Sequence, residues 1–398
     1  MAQKASVSEV FNTFFKLGLT SFGGPVAHIG HFRKELIEKR QWLNEQQFSQ
    51  LLAICQFLPG PASSQLGFSL GLLRAGWLGA LAAFLAFTLP SALLIIGFAS
   101  ALPLFSSEIG TAIIHGLKLV AFAVIADAIW GMSKKLCPDW QRRSITLCAV
   151  AAILLINVAW SQILVIVVGA IAGIAFCHSM SCKALQPINV GYKPSLGLAL
   201  LGVFIALLLA ALFLSKQSDL VASGQAFYRA GALVFGGGHV VLPLLQDAVV
   251  NTGQVSNTDF LAGYGASQAI PGPMFSFVAY LGAIMPTTTS VNWLGATIAL
   301  TFMFLPGILL ISAALPLWQS IANRPHAANA ITGINAAVVG ILAAALYDPV
   351  FTSSVMHVVD LAIALSGFAL LVIWRLSPLF VVIWCVLANV LLTWLPAC

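Results

Sequence analysis

The chain has 398 residues, of which 60% are hydrophobic and only 8% are charged, and its mean hydropathy is +0.98. A soluble globular protein carries about 25% charged residues, so this composition excludes a soluble enzyme or a soluble binding module. The net charge of +6 therefore indicates basic residues kept on the cytoplasmic side of a membrane and gives no sign of a nucleic-acid partner.

Three long runs, at residues 77–101, 146–177 and 195–214, carry almost no charge. A helix that spans a bilayer needs about 20 apolar residues, whereas a membrane β-barrel would show short alternating segments. The sequence predicts an all-α polytopic membrane protein that lies in the lipid bilayer as a multi-pass protein.

In chain order, the first half begins with two segments that glycine or proline interrupts. Two long helices follow, and a pair of short helices closes the half. These predicted segments are 10–32, 47–73, 77–101, 109–131, and the pair 144–159 and 161–177. A polar linker, 179–194, then leads to one extra helix at 195–214.

The second half repeats this order. Its predicted segments are 227–250, 258–285, 292–315, 328–347, and the pair 357–373 and 378–395. We predict three regions: an N-terminal transmembrane repeat at 1–180, a linker with the extra helix at 181–220, and a C-terminal transmembrane repeat at 221–398.

The duplication is clearest at two short motifs. Phe-Gly-Gly stands at 22–24 and 235–237, and Pro-Gly-Pro stands at 59–61 and 271–273, so the spacing is 213 and 212 residues. Gln56 and Gln268 each lie three residues before the first proline. Two matched sets of helix breaks in apolar segments are typical of a transporter built from two repeats, with its site where the helices are interrupted.

The extra helix should invert the second repeat, because each half contributes an even number of crossings. If the N-terminus is cytoplasmic and the broken segments are re-entrant, nearly all basic residues outside the spans lie inside, as the positive-inside rule requires. Full crossings by the broken segments would weaken this asymmetry. We therefore favour re-entrant segments, and the total is between 9 and 13 crossings.

The breaks are the predicted substrate site. Non-helical backbone at membrane depth is tolerated where it is buried or lines a wet cavity, and a helix that restarts after Pro-Gly-Pro leaves backbone N–H groups open to an anion. The alternatives are proline kinks between packed helices and tight packing at the glycines. The predicted binding residues are Ser21, Gly23, Gly24, Pro25, Gln56, Gly60, Ser63, Ser64, Lys118, Gly236, Gly237, Gly238, His239, Gln268, Gly272 and Ser276.

Lys118 lies near the middle of the predicted helix 109–131, with His115 one turn away. An ionised lysine at the bilayer centre needs a partner or a wet cavity. We favour an anion as that partner, and a carboxylate elsewhere is the alternative. Arg33, Glu35 and His115 are predicted gating or coupling residues. The alternative for the charged segment 33–40 is a solvated loop that fixes topology.

The sequence has no Gly-x-x-x-x-Gly-Lys-Ser/Thr loop, no catalytic motif and no complete metal-ligand set. We therefore expect no enzyme activity and no cofactor, with transport driven by an ion gradient or the membrane potential. An anion channel is one rival interpretation, and a membrane enzyme or lipid flippase is another.

Residues 14–35 and 56–65, with Phe235 to Pro243 and Gln268 to Pro273 in the second half, carry a specific resemblance. These paired motifs resemble those of the chromate ion transporter family, in its long-chain, two-domain form. The resemblance covers almost the whole chain. It implies oppositely oriented halves and export of chromate from the bacterial cytoplasm, which gives chromate resistance.

The resemblance also implies partners and a location. Chromate is the expected substrate and sulfate, an isosteric dianion, the expected competitor. Transport of sulfate or another oxyanion stays the alternative. The expected location is the bacterial inner membrane with a cytoplasmic N-terminus, and a homodimer is left open as an assembly.

Overall fold

The computed structural model describes residues 6–156, 161–177, 190–214, 218–235, 238–286, 291–322 and 325–394. Within these ranges the chain is helical and contains no strand. Five of the described helices are long and apolar enough to cross a membrane. The prediction of an all-α polytopic membrane protein is confirmed.

Both halves contain the predicted order of elements. The first half comprises α1 (Val7–Thr20), α2 (Gly24–Phe32), α3 (Glu45–Phe57), α4 (Ala62–Ala101), α5 (Glu108–Leu136), α6 (Trp140–Leu155) and α7 (Ser161–Phe176). After α8 (Pro194–Phe213) come α9 (Asp219–Leu233), α10 (Val241–Val249), α11 (Asn257–Ser267), α12 (Phe277–Ile284), α13 (Trp293–Ala322), α14 (Pro325–Ala345), the single-turn α15 (Thr352–Ser354), α16 (Val358–Val372) and α17 (Pro378–Leu392).

Glycine and proline end the helices where the sequence predicts breaks. Gly23 and Gly24 have φ of +96° and +75° after α1, a conformation that glycine adopts without steric cost. The helix α3 begins at a capping box, in which Asn44 and Gln47 each accept a hydrogen bond from the other's backbone N–H. It ends just before Pro59.

The helix α4 is two helices joined by a sharp turn. Ala75 (φ −140°, ψ 23°) and Gly76 (φ 69°, ψ −160°) leave the helical conformation, and the chain reverses there. Gly71 and Gly79 face each other across the turn, since a Cβ on Gly79 would lie 2.5 Å from Gly71 O. The predicted boundary between segments 47–73 and 77–101 falls at this turn.

The first two broken segments fold as hairpins that open on the same side. Glu9, near the start of α1, comes within 4.0 Å of both Arg40 and Arg74. Arg33, just after α2, is 2.9 Å from Glu45 at the start of α3. We call this side the basic face. It carries Arg33, Lys34, Lys39, Arg40 and Arg74.

The hairpin tips reach the middle of the helical layer. Gly18, one turn before the first break, packs on α4 so closely that a Cβ would lie 2.8 Å from Phe87 O. Phe87 is near the centre of the second helix of α4. This geometry agrees with segments that enter the membrane and return to the side from which they came.

The closing helix pairs of the two halves are exchanged. The pair α6 and α7 packs on α14 of the second half, and the pair α16 and α17 packs on α5 of the first half. Glycines make these contacts close: Gly173 abuts Gly333, and Gly116 abuts Val386. Each half is therefore completed by helices of the other.

These closing helices are short. The 16 residues of α7 and the 15 of α17 extend about 24 Å and 23 Å, less than the hydrocarbon core of about 30 Å. By contrast, α8 has 20 residues and exposes much of its apolar surface, for instance Leu198 and Phe213, as expected of a helix that faces lipid.

Replacing Gly116 with valine is expected to destabilise the fold. A Cβ at this position would lie 2.8 Å from both Cys385 O and Val386 Cα, and overpacking a helix contact costs about 1–3 kcal/mol. Gly131→Val on the same helix is the matched control, because nothing lies within 4 Å of a Cβ there. Thermal unfolding in detergent should show a lower Tm for Gly116→Val alone; equal Tm values would contradict the exchanged packing.

Candidate functional site

The four helix breaks contact each other crosswise between the halves. The N–H of Gly60 donates to Val234 O at 2.7 Å, and the N–H of Gly272 donates to Ser21 O at 2.9 Å. Each bond joins the Pro-Gly-Pro break of one half to the start of the Phe-Gly-Gly break of the other half. Val234 and Gly272 are the repeat equivalents of Ser21 and Gly60, 213 and 212 residues further on.

The two Pro-Gly-Pro tips also sit against equivalent points of the long helices. A Cβ on Gly60 would lie 3.0 Å from Gly307 Cα on α13, and a Cβ on Gly272 would lie 3.0 Å from Ser91 Cβ on α4. Gly307 and Ser91 each follow a proline within a long helix. The first tip thus abuts α13 and the second abuts α4, and neither has space for a side chain at its glycine.

Several buried polar atoms on the described segments around the first-half breaks have no partner. The atoms are buried and have no hydrogen-bond partner among the described residues: Ser21 Oγ, His28 Nδ1, Ser64 Oγ, Gln65 Oε1 and Thr88 Oγ1. A buried polar group that lacks a partner costs about 1–3 kcal/mol. A ligand that forms hydrogen bonds with these atoms would remove this cost and so stabilise the complex.

Gln65 fixes the second break to α13. Its Nε2 donates to Pro59 O at 2.9 Å and to Gly307 O at 3.1 Å. Ser63 and Ser64 are buried in the first turn of α4, where backbone N–H groups have no partner within the helix. This turn therefore offers both backbone and hydroxyl donors next to the break.

The second-half breaks are internally satisfied instead. Ser276 Oγ donates to Pro273 O at 2.7 Å, and Gln268 Nε2 donates to Tyr264 O at 3.2 Å. His239 Nδ1 is 2.5 Å from the Tyr264 hydroxyl. Among the described residues of the four breaks, the unpartnered hydroxyls therefore belong to the first half.

The predicted site residues fall into groups. Ser21 contacts Gly272 and Gly60 contacts Val234 in the crosswise bonds, and Ser63 and Ser64 follow Gly60 in the chain. Gly23 and Gly24 shape the first break, while Gly238 and His239 follow the third. Gln56 is exposed on α3. Gly236, Gly237 and the side chain of Pro25 lie outside the described part of the chain.

Sequence reasoning missed Gln65 and Thr88 as candidates. Gln65 stands four residues after Pro61 in an apolar helix, and Thr88 lies two residues before Pro90. A polar side chain beside a proline in an apolar helix was the available signal. Gln56 is a predicted site residue because it repeats at Gln268, and its side chain is exposed.

Lys118 lies in a pocket of its own, of about 760 Å³, between α5, α11, α16 and α17. Its side chain is 6% exposed. His115 lines the same pocket, with Nε2 2.9 Å from Asp360 Oδ1. No described residue of the four breaks lines this pocket.

Arg33 and Glu35 lie on the basic face in surface ion pairs. Arg33 pairs with Glu45, and Glu35 is 2.9 Å from Arg40 Nε and 3.3 Å from Lys39 Nζ. The hydrogen bond from Arg40 is the main reason that the pKa of the Glu35 carboxyl is below its usual value. A carboxylate held ionised in this way takes up a proton less readily.

A second pocket, of about 850 Å³, leads toward the third break. Its lining includes Leu233 and Pro243, which flank that break, and the half-buried Arg229. Asp247, Asn251 and Asp348 also line it. In the described residues no group of three or more His, Cys, Asp or Glu side chains is arranged to hold a metal ion.

Three known proteins are similar to this chain over most of its length. A probable chromate transport protein of Synechococcus elongatus is 29% identical over 95% of this chain and 94% of its own length. The chromate transport protein of Pseudomonas aeruginosa is 28% identical over 98% and 92%. An uncharacterized transporter of Methanocaldococcus jannaschii is 26% identical over 85% and 83%. No solved structure matches the chain.

The family model described as Chromate transporter matches residues 8–174 and 221–390. The two matched regions begin 213 residues apart, the same spacing that separates the two Phe-Gly-Gly motifs. Together they cover most of the sequence and contain all four breaks. The chain therefore belongs to the chromate transporter family.

Proposed function

We propose that this protein is a secondary active transporter that exports chromate, and that the crossing of the four breaks binds the dianion. The observation that carries the proposal is that the Ser21 and Ser64 hydroxyls, each beside a first-half break, are buried without a partner in the described part of the chain, in a chain of this family. A tetrahedral oxyanion presents acceptor oxygens on all sides, so hydroxyl and backbone donors suit it.

Neutral donors have an advantage over fixed charges here. A dianion held by hydroxyl and N–H groups is stabilised by oriented dipoles at a helix N-terminus. It is not trapped by a permanent ion pair, so it can be released to the other side. Sulfate, with the same shape and charge, is the expected competitor.

Alternating access would follow from an inverted relation between the halves. The hairpins of the first half open on the basic face. In the second half, the start of α11 lines a pocket together with Phe105 and Glu108. These two residues lie where α4 passes into α5, on the opposite face. The reciprocal Gly60 and Gly272 contacts also fit a two-fold relation. We place the basic face in the cytoplasm of the bacterial inner membrane.

The direction of transport follows from the charge of the substrate. An inside-negative potential favours outward movement by about 2.3 kcal/mol per charge for each 100 mV, so about 4.6 kcal/mol for a dianion. Export therefore proceeds downhill electrically. In a bacterial cell this activity would confer chromate resistance.

Flux measurements on proteoliposomes test the proposal. Labelled chromate should enter vesicles that contain the protein with saturable kinetics, sulfate should compete, and molybdate should compete less. Unsaturated currents through single open proteins would instead identify an anion channel. If chromate neither accumulates nor competes with sulfate, the substrate assignment is wrong.

Arg229 is expected to guide the anion on the face opposite the basic one. It lies in the pocket that leads to the third break, and its repeat equivalent on α1 is also basic, Lys16. Arg229→Gln should raise KM for chromate about tenfold, as the loss of about 1.4 kcal/mol implies. Arg229→Lys should be milder. The control, Arg375→Gln, changes an arginine outside this pocket and should leave KM unchanged; equal effects in both would contradict the route.

A further inference from the structure

The pocket around Lys118 contains a lysine and a histidine that face one carboxylate. His115 Nε2 lies 2.9 Å from Asp360 Oδ1. Lys118 follows one turn later on α5, is 6% exposed, and lines the same pocket. It makes no hydrogen bond or ion pair within the described residues. A buried ammonium without a partner is costly in a membrane protein, so Lys118 needs a second arrangement in which it is paired.

Asp360 is anchored so that one oxygen can change partner. Its Oδ2 accepts the backbone N–H groups of Met356 and His357, both at 2.9 Å, just before and at the start of α16. Its Oδ1 is directed to α5, where His115 holds it and Lys118 lies one turn away. The carboxylate can therefore pair with either side chain without leaving the helix terminus.

The charge of this pocket suits a small cation and opposes a dianion. The other titratable groups that face it are Glu108 from α5, Asp259 from α11 and His357 from α16, while α17 contributes the uncharged Asn389 and Thr393. Three carboxylates against one lysine give negative charge when the histidines are neutral. These three carboxylates repel a dianion more strongly than the two, Asp247 and Asp348, that line the pocket of Arg229, which argues for a different ligand.

We propose that this pocket binds the proton that is exchanged for the exported anion, with His115 as its carrier and Lys118 as the alternative partner of Asp360. The inference rests on the proposed transport function. A proton from the face opposite the basic one adds to the free ring nitrogen of His115, and the imidazolium then pairs with Asp360. When that N–H proton is released toward the basic face, the histidine is neutral and Lys118 takes the carboxylate.

The exchange of partners has a direct connection to the anion site. Leu117 lies between His115 and Lys118 on α5 and abuts Gly265 of α11. A Cβ on Gly265 would overlap Leu117 O. The helix α11 ends at Ser267, immediately before the fourth break. A shift of α5 between the His115 and Lys118 pairings therefore presses on the segment that carries Gln268 and Gly272.

The second copy of this arrangement is absent from the repeat. At the spacing of 217 residues that relates α5 to α14, the equivalents of His115 and Lys118 are Thr332 and Asn335. Neither of these side chains gains or loses a proton near neutral pH. One proton site per chain suits an exchange of one proton for each anion.

Proton-driven accumulation in vesicles of the full chain tests the inference. Both compartments are kept alkaline so that chromate stays a dianion, and potassium with valinomycin holds the voltage at zero. With a lumen one pH unit more acidic than the outside, one proton per anion should give about tenfold accumulation of labelled chromate. His115→Gln and Asp360→Asn should abolish accumulation, as should Lys118→Met, whereas Lys118→Arg should retain it. His326→Gln, an exposed histidine on α14, is the matched control.

Chromate–chromate exchange without a pH gradient separates the two ideas. If the wild type shows no exchange, the proposed function has failed. The proton site is wrong if the wild type exchanges chromate but shows no accumulation in the pH gradient, or accumulates chromate in an alkaline lumen. It is also wrong if His115→Gln still accumulates chromate in the pH gradient. Exchange that persists in His115→Gln while accumulation is lost would support the site and would show that the variant is folded.

Discussion

Alanine at Gly60 or Gly272 is expected to reduce chromate transport by about tenfold or more, the loss that about 1.4 kcal/mol produces. Both glycines have positive φ, +119° and +96°, where a residue with a Cβ is strained by about 1–3 kcal/mol. The new Cβ would also lie 2.9 Å from Gln65 Nε2 at Gly60, or 2.9 Å from Ser91 Oγ at Gly272. Relief of these contacts must move a tip and lengthen its bond to the other half.

A third glycine separates backbone strain from displacement of the tips. Gly253 has φ of +77°, and nothing lies within 4 Å of a Cβ there, in the connection between α10 and α11. Gly253→Ala should therefore share the strain but keep transport. Saturable chromate uptake by purified protein, normalised to the amount reconstituted, is the measurement. Full activity in Gly60→Ala and Gly272→Ala would show that the crossing has no part in transport.

Much of the fold could be predicted because the residues that end its helices act locally. Glycine and proline end helices through their own backbone properties, so the breaks at 21–24 and 58–61 and the turn at 75–76 fall where the sequence places them. The extra helix, predicted at 195–214, is observed at Pro194–Phe213. Repetition in the sequence then predicted that both halves have the same order of helices.

What could not be predicted depends on contacts between distant segments. Nothing local in residues 140–176 indicates that α6 and α7 pack on α14 of the other half, because their apolar surfaces would fit either neighbour. The partner of His115 lies 245 residues away. Nor does the sequence indicate that Asp360, at the start of α16, lies in the same pocket as Lys118.

The crosswise contacts give the repeated motifs a structural meaning. A Pro-Gly-Pro tip is held by the other half as well as by its own. It is held by a hydrogen bond to the Phe-Gly-Gly break of the other half and by contact with a long helix, also of the other half. Movement of one half relative to the other must change both tips together. Such linkage is what alternating exposure of a central site requires.

Alanine at Ser21 and at Ser64 is expected to have opposite effects on stability and on transport. Each hydroxyl is buried without a partner, at a cost of about 1–3 kcal/mol, so its removal should raise the Tm of the substrate-free protein. If the hydroxyls donate to the dianion, each substitution should also raise KM for chromate. A hydrogen bond to a charged group contributes about 1.5–3 kcal/mol, which corresponds to a change of about ten- to a hundredfold.

Ser69 supplies the matched control, because its hydroxyl lies on the same helix and already donates to Gln65 O at 2.8 Å. Ser69→Ala should lower Tm slightly and leave KM unchanged. Chromate should stabilise the wild type against heat more than it stabilises Ser64→Ala, since a ligand stabilises in proportion to its affinity for the folded state. A higher Tm with unchanged KM in Ser21→Ala and Ser64→Ala would mean that these hydroxyls are packing defects and that the anion binds elsewhere.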